Sequence, residues 1–214
     1  MDKIVLIGGG GHSKVIIDII KSINTYEIFG IVDKNKACKD VLGIPIVGDD
    51  NDLEKIYKSG VEYAFICVAA IENINLRMKL YHKIKMIGFK LPRLIHSSAI
   101  ISPYAEIGEG TCVMAGAVIN ANAKVGSNSI INTGAIVEHD CIIGNNVQIS
   151  PGVVFAGSVN INDNTFVGIG SRIIQGITIG KEVVIGAGAV VIDDIPDNSV
   201  AVGIPAKVIK ERKS

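Results

Sequence analysis

The sequence predicts two domains. Residues 1–94 form a small α/β unit, and residues 95–214 form an all-β stack of short coils. Three observations carry this. Ile and Val occupy 62 of 214 positions, while Leu occurs only 7 times. All seven Leu, from Leu6 to Leu94, precede residue 95. From Ile95 onward the chain divides into six-residue blocks without a gap. A Leu-poor chain rich in Ile, Val and Gly favours strands over a helical bundle.

In the first domain, Lys3–Ile7 is an apolar run and reads as a strand. It ends in Gly8-Gly9-Gly10-Gly11-His12-Ser13. Lys14–Ser22 follows with helical apolar spacing at Val15, Ile16, Ile19, Ile20 and Ile23. Ile28–Val32 and Tyr63–Ala69 read as further strands, Asn51–Ser59 and Asn75–Ile87 as helices. Alternating strand and helix implies a parallel, Rossmann-like sheet. A glycine turn between strand and helix suits a phosphate at the helix N-terminus. Gly8, Gly10 and Ser13 fit G-x-G-x-x-G loosely, with Ser in the third place. Asp33 follows Ser13 by twenty residues, where an acid meets ribose hydroxyls. A tight turn with Asp33 as a strand-end acid and His12 as a helix cap would leave the same pattern. A unit of some ninety residues is half of the two-part dinucleotide fold, which argues against a nicotinamide oxidoreductase.

In the second domain, blocks begin every six residues from Ile95 to Val191, giving 17 blocks over residues 95–196. Every first position is apolar, and all but Phe155 are Ile or Val. The fifth positions are small or β-branched. A strand alternates faces every two residues, so first and fifth positions both point inward. Gly108, Gly126, Gly144 and Gly180 recur at the second position, with Asn162 in the missing slot. Their 18-residue spacing implies a triangular coil of three blocks, five to six coils in all. We expect these second positions to be bends of positive φ, where Asn best replaces Gly. Stacked coils bury their Ile/Val column as a continuous core.

Composition narrows the function. Twenty-one basic residues balance 21 acidic ones, with 14 and 11 in residues 1–94 and 7 and 10 thereafter. Neither half is basic enough for nucleic-acid binding as the main task. No run approaches the ~20 apolar residues of a membrane span, and the N-terminus does not read as a signal peptide. Cys38, Cys67, Cys112 and Cys141 lack metal or disulfide spacing, so reduced thiols and a cytoplasmic location are expected. Only His96 and His139 lie in the repeat, too few for a three-His metal site.

The hexapeptide pattern resembles the left-handed parallel β-helix of acyltransferases, and its hand is taken from that resemblance. The two parts together resemble the NeuD/PglD-like family of bacterial sugar O- and N-acetyltransferases. The supporting residues are Ile7-Gly8-Gly9-Gly10-Gly11-His12, Ile31-Val32-Asp33, Leu94-Ile95-His96, Asn132 through Cys141, and Gly203-Ile204-Pro205-Ala206-Lys207. The resemblance implies a homotrimer with acetyl-CoA in the groove between adjacent helices. It makes His139 the general base, with Asp140 beside it and Asn132 one hexapeptide earlier. Gln148, Gly157, Gly203, Pro205 and Lys207 match acetyl-CoA contacts. Gly8, Gly9, Gly10, Gly11, His12 and Asp33 match the site for a UDP-, GDP- or dTDP-linked sugar. No metal is implied. Three positions depart from the pattern: Gln148 where some relatives carry a second His, Val68–Glu72 without a glycine, and Lys34 after Asp33. The expected activity is N-acetylation of the 4-amino group of a nucleotide-linked amino-dideoxy sugar. O-acetylation of sialic acid or a related sugar uses the same base, and a non-catalytic β-helix subunit is the third reading.

Overall fold

The computed structural model describes all residues except 36–38, 70–73 and 213–214. Cys38 and the Ala70–Glu72 part of the glycine-free stretch therefore lie outside the described residues. The chain falls into two compact units, Met1–Ser97 and Ser98–Ser214.

The first unit is a five-stranded sheet with helices between its parallel strands. In chain order the elements are β1 Asp2–Ile7, α1 Gly11–Ile23, β2 Tyr26–Val32, β3 Asp40–Val41, β4 Ile44–Gly48, α2 Leu53–Lys58, β5 Tyr63–Ile66 and α3 Ile74–Ile87. The order across the sheet is β3-β4-β2-β1-β5. The chain leaves β1 toward β2 and returns to pair β5 on the other side of β1, both in parallel. Strand β5 ends at Ile66 and not at Ala69, and two further elements differ from expectation. Helix α1 starts at Gly11, inside the glycine run, because Gly10 takes the extended N-cap conformation. Ser13 turns its hydroxyl back to the Gly10 carbonyl at 2.6 Å. Burial of Ile16, Ile17, Ile19 and Ile20 sets the rotation of α1 and leaves Val15 exposed. The hairpin β3–β4 was not expected, because Gly43 and Pro45 interrupt its apolar stretch from Val41 to Val47. Its turn is Leu42-Gly43, both at positive φ, so Gly43 was the legible signal for a two-residue hairpin.

The second unit is a hexapeptide-repeat β-helix. One face stacks Ile100–Ile101, Val118–Ile119, Ile136–Val137, Val154–Phe155, Arg172–Ile173 and Val190–Val191. The second stacks Glu106–Ile107, Lys124–Val125, Ile142–Ile143, Asn160–Ile161 and Thr178–Ile179. The third includes Cys112–Val113, Ile130–Ile131, Gln148–Ile149, Phe166–Val167 and Val184–Ile185. Strands pair in parallel with the one eighteen residues on, as Val118–Ile119 does with Ile136–Val137, until the last coil, where Val184 pairs with Val200 sixteen residues on. Strand Ser199–Gly203 extends the third face, and Ala206–Glu211 closes it in antiparallel pairing.

Every first position from Val113 to Val191 and every fifth position from Thr111 to Ile195 is buried. Buried hydroxyls at fifth positions are satisfied between coils. The Ser129 hydroxyl donates to the Gly144 carbonyl (3.0 Å) and accepts the Val147 N–H (3.0 Å). Thr165 does the same with Gly180 and Val183.

The bends differ from expectation. Positive φ falls at the fourth position of each block from Gly110 to Gly188, filled by Gly, Asn, Asp140, Ser158 or Glu182. Gly108, Gly126, Gly144 and Gly180, and Asn162 beside them, lie outside that region. The second-position glycines answer a different demand. A Cβ on Gly108 would sit 2.6 Å from the Ser127 nitrogen, and one on Gly126 2.6 Å from Gly144 backbone. Close stacking of coil on coil, and not backbone sign, crowds a side chain at these glycines, although Asn162 shows that the column admits one.

Candidate active site

His139 and Asp140 form the turn that follows strand Ile136–Val137, at the corner between the first and second faces. Asp140 occupies the left-handed position of that turn, with φ 60°, a conformation Asn and Asp tolerate better than other side chains. Its carboxylate Oδ2 lies 2.8 Å from His139 Nδ1. A ring nitrogen facing a carboxylate carries the proton, so Nε2 is left as the acceptor. The other oxygen, Oδ1, accepts the Asn122 amide at 2.7 Å. The Asn122 bond, and next to it the His139 bond, hold the Asp140 carboxyl below the usual carboxylate range. Both side chains are open to solvent, His139 at 61% and Asp140 at 50%. Gly157 lies one coil further on. A Cβ there would fall 2.5 Å from His139 Cε1 and 2.7 Å from Nε2. The imidazole therefore rests over a position where only glycine leaves room.

The structure separates other expected residues from this pair. Asn132 sits at the preceding corner of the same coil, with its Oδ1 accepting the Thr133 N–H at 3.0 Å. Gln148 is 5% exposed on a strand of the third face. Its side chain offers almost no surface to a ligand, and its neighbours along that sheet are Ile130 and Phe166. Gly203, Pro205 and Lys207 belong to the terminal hairpin: Gly203 ends its first strand at φ 103°, and Pro205 lies in the turn. Lys207 Nζ lies 3.4 Å from Asp193, both two-thirds exposed.

In the first unit, the glycine loop lies at the C-terminal ends of β1, β2 and β5, where the strand order reverses. Crevices at such switch points are the usual ligand sites of open α/β sheets. A cavity of about 140 Å³ is lined there by Gly8, Asp33, Lys34, Asp50 and Val68. A second, of about 120 Å³, is lined by Gly9, Gly10, Asp33, Asn35 and Ile46. Asp33 borders both, and its carboxylate accepts the N–H groups of Gly9 (2.5 Å) and Asn35 (2.7 Å). His12 is the second residue of α1. Its Nε2 is buried without a hydrogen-bond partner. Burial first, then the positive charge of Arg77, push its pKa down to about 4, so the ring is neutral.

Arg77 and Asn122 escaped the sequence reading. Arg77 is fully buried and donates to the carbonyls of Ile66 (3.0 Å) and Val68 (2.8 Å), which fixes the end of β5. Nothing in its helical neighbourhood marks it as buried. Asn122 was legible only as a position eighteen residues before Asp140.

Residues 3–84 match the PglD N-terminal domain, residues 122–157 the bacterial transferase hexapeptide (six repeats), and residues 158–192 the hexapeptide repeat of succinyl-transferase. PerB from Caulobacter crescentus, solved with CoA and GDP-perosamine, is 42% identical. That match covers 98% of each chain, with a TM-score of 0.91. The chain belongs to the family of acetyl-CoA-dependent nucleotide-sugar N-acetyltransferases. Another member of this family, the acetyltransferase domain of PglB from Neisseria gonorrhoeae FA1090, was solved with acetyl coenzyme A. It is 36% identical over 97% of this chain and 98% of that one, with a TM-score of 0.90. UDP-N-acetylbacillosamine N-acetyltransferase of Bacillus subtilis (strain 168) is 34% identical over 115 residues, 54% of this chain. The match spans 52% of that relative, about half its length. Among the described residues of this family member, no helix is long and apolar enough to cross a membrane.

Proposed function

We propose that this chain transfers the acetyl group of acetyl-CoA to the 4-amino group of a nucleotide-linked amino-dideoxy sugar, with His139 as general base. The observation that carries the reading is the Asp140 carboxylate on His139 Nδ1, which leaves Nε2 free to take a proton. The sugar amine attacks the thioester carbonyl as its N–H proton passes to Nε2. The N–C bond forms and the carbonyl electrons move to oxygen. Collapse of that oxyanion expels the CoA thiolate, and the proton on His139 returns to the sulfur. The imidazolium formed on the way is stabilised by Asp140. The Gly157 N–H is the oxyanion donor in this scheme, supported by the lie of the His139 ring over Gly157.

The first unit, Met1–Ser97, binds the nucleotide sugar through the glycine loop Gly8–Gly11, His12 and Asp33. The unpartnered Nε2 of His12 supports this, since a buried neutral imidazole without a partner is costly until a ligand supplies one. The second unit, Ser98–Ser214, carries acyl transfer, with Gly203, Pro205 and Lys207 toward the CoA nucleotide. The enzyme works as a homotrimer, with Asn132 at the seam between subunits. Support comes from the outer column Ile100, Val118, Ile136, Val154 and Val190, apolar but for Arg172 within it, on the face that ends at the His139 corner. Closed cyclic symmetry would cover that column on every copy. The setting is the cytoplasm, with acetyl-CoA.

CoA release is to be measured with GDP-perosamine first, since PerB binds it, and then with UDP- and dTDP-linked 4-amino sugars. His139→Ala should lose at least ~10²-fold in kcat. An undiminished rate in that variant overturns the assignment of the base.

A further inference from the structure

We infer that Asn122 is a positioning residue for acetyl transfer: its amide clamps the Asp140 carboxylate in the orientation that holds His139. The inference rests on His139 being the general base. Asn122 and Asp140 occupy the same left-handed turn position in successive coils, both at φ 60°. The Asp140 N–H donates to the Ala121 carbonyl at 3.1 Å, which ties the two turns together through the backbone. Asn122 Nδ2 then meets Oδ1 at 2.7 Å, and Oδ2 faces His139 Nδ1 at 2.8 Å. Each carboxylate oxygen has one partner.

Adjacency in sequence does not by itself supply this geometry. The terminal torsion of an Asp is broad and roughly two-fold, and an exposed ion pair holds its partners weakly. Half-exposed Asp140 needs a second anchor to present one oxygen steadily to the imidazole. An Asn in this turn also has an ordinary explanation, since Asn tolerates left-handed backbone. Asn128 illustrates it: it occupies the equivalent turn at another corner and bonds Asn146 at 2.6 Å. What sets Asn122 apart is its acceptor, a carboxylate already bonded to the proposed base. Among the other ionisable groups, Glu138 lies beside His139, with Oε2 accepting its N–H at 3.3 Å. The stacked turn residues Asn120, Ala121 and Asn122 on one side, and Ala156, Gly157 and Ser158 on the other, are uncharged.

The test uses the full chain with Asn122→Gly, which suits the left-handed turn, and Asn122→Asp, alone and combined with Asp140→Asn. Asn122→Gly should lower kcat about tenfold, as loosened orientation does, with KM for both substrates within about twofold. Asn122→Asp replaces the amide donor by a carboxylate facing Asp140 and should lower kcat at least as far. In the Asp140→Asn background, Asn122→Gly should cost nothing further, the non-additivity of groups acting as one unit. Unchanged kcat in Asn122→Gly, or a loss that persists in the Asp140→Asn background, overturns the inference. His139→Ala is run beside them: if it is inactive while Asn122→Gly is normal, only the positioning role fails, and if it is active the base reading itself fails.

Discussion

Replacing Gly157 by alanine tests the catalytic corner with a single methyl group. The added Cβ would lie 2.5 Å from His139 Cε1 and 2.7 Å from Nε2, against ordinary contact of 3.4–4 Å. The ring must therefore retreat by about 1 Å, a shift large enough to cost about 10²-fold in a positioned catalytic group. Gly157 is not at positive φ, so alanine fits its backbone. The imidazole is largely exposed and can swing outward without disturbing the core. Stability should stay within about 0.5 kcal/mol of the parent, as for a surface substitution. The peptide N–H survives the change, so the loss reports on His139 and not on the oxyanion donor. The assay is steady-state CoA release at saturating acetyl-CoA and acceptor, with thermal melting and calorimetric CoA titration as controls. Normal melting with kcat down about 10²-fold is expected. Normal melting with parental kcat would mean that the ring position is irrelevant to the chemistry.

Asp140→Asn should lower kcat by about 10–100-fold while leaving acetyl-CoA affinity intact, since an amide no longer dictates the imidazole tautomer; parallel rate and titration measurements check it. The depressed pKa of His12, about 4 against 6.5, makes the fold acid-sensitive. Below pH 6.5 the unfolded chain takes up a proton that the folded chain refuses, so stability falls as pH drops toward 4. Between pH 7 and pH 5 the loss is about 2 kcal/mol, and urea unfolding should show it vanish in His12→Asn; equal pH slopes in the two proteins would contradict it. The two kinds of repeat glycine should also separate. Gly152→Ala meets open space at φ 66° and should cost about 1–2 kcal/mol of left-handed strain. Gly126→Ala collides with Gly144 backbone at 2.6 Å and should cost more, about 3 kcal/mol or above, the upper range of overpacking. The reverse ranking in denaturant melts would refute the stacking explanation.

The inward positions were readable because burial repeats with the chain: Val113 through Val191 recur every six residues, and each meets the same interior. The bends were misread from the same repeat. Gly at the second position is eye-catching at 18-residue spacing, whereas the true left-handed positions are spread among Gly134, Asp140, Asn146 and Ser158. No single residue type marks them, since Asn, Asp and Gly all tolerate that conformation. His139 and Asp140 were recognisable as a pair because they adjoin in sequence. Asn122 and Gly157 act on them from neighbouring coils, and contacts of that kind leave no local pattern. Arg77 is hidden for another reason. A cation in a helix normally faces water, and the carbonyls of Ile66 and Val68, brought over it by the sheet, help make its burial tolerable.

The eighteen-residue pairing of two-residue strands makes this site a matter of phase. An eighteen-residue coil of unrelated sequence but the same inward pattern, inserted between Cys141 and Ala156, would leave every inward side chain inward and every strand paired. It would nevertheless set a new residue beneath the imidazole and carry Gly157 one storey away. Insertion of a single hexapeptide would be worse, rotating everything after it by one face. Lengthening by whole coils is therefore permissible to the fold, but at the seams between Asn122, His139 and Gly157 it would silence the chemistry. Evolutionary length changes in such a chain should accumulate toward its ends, leaving those three consecutive storeys intact.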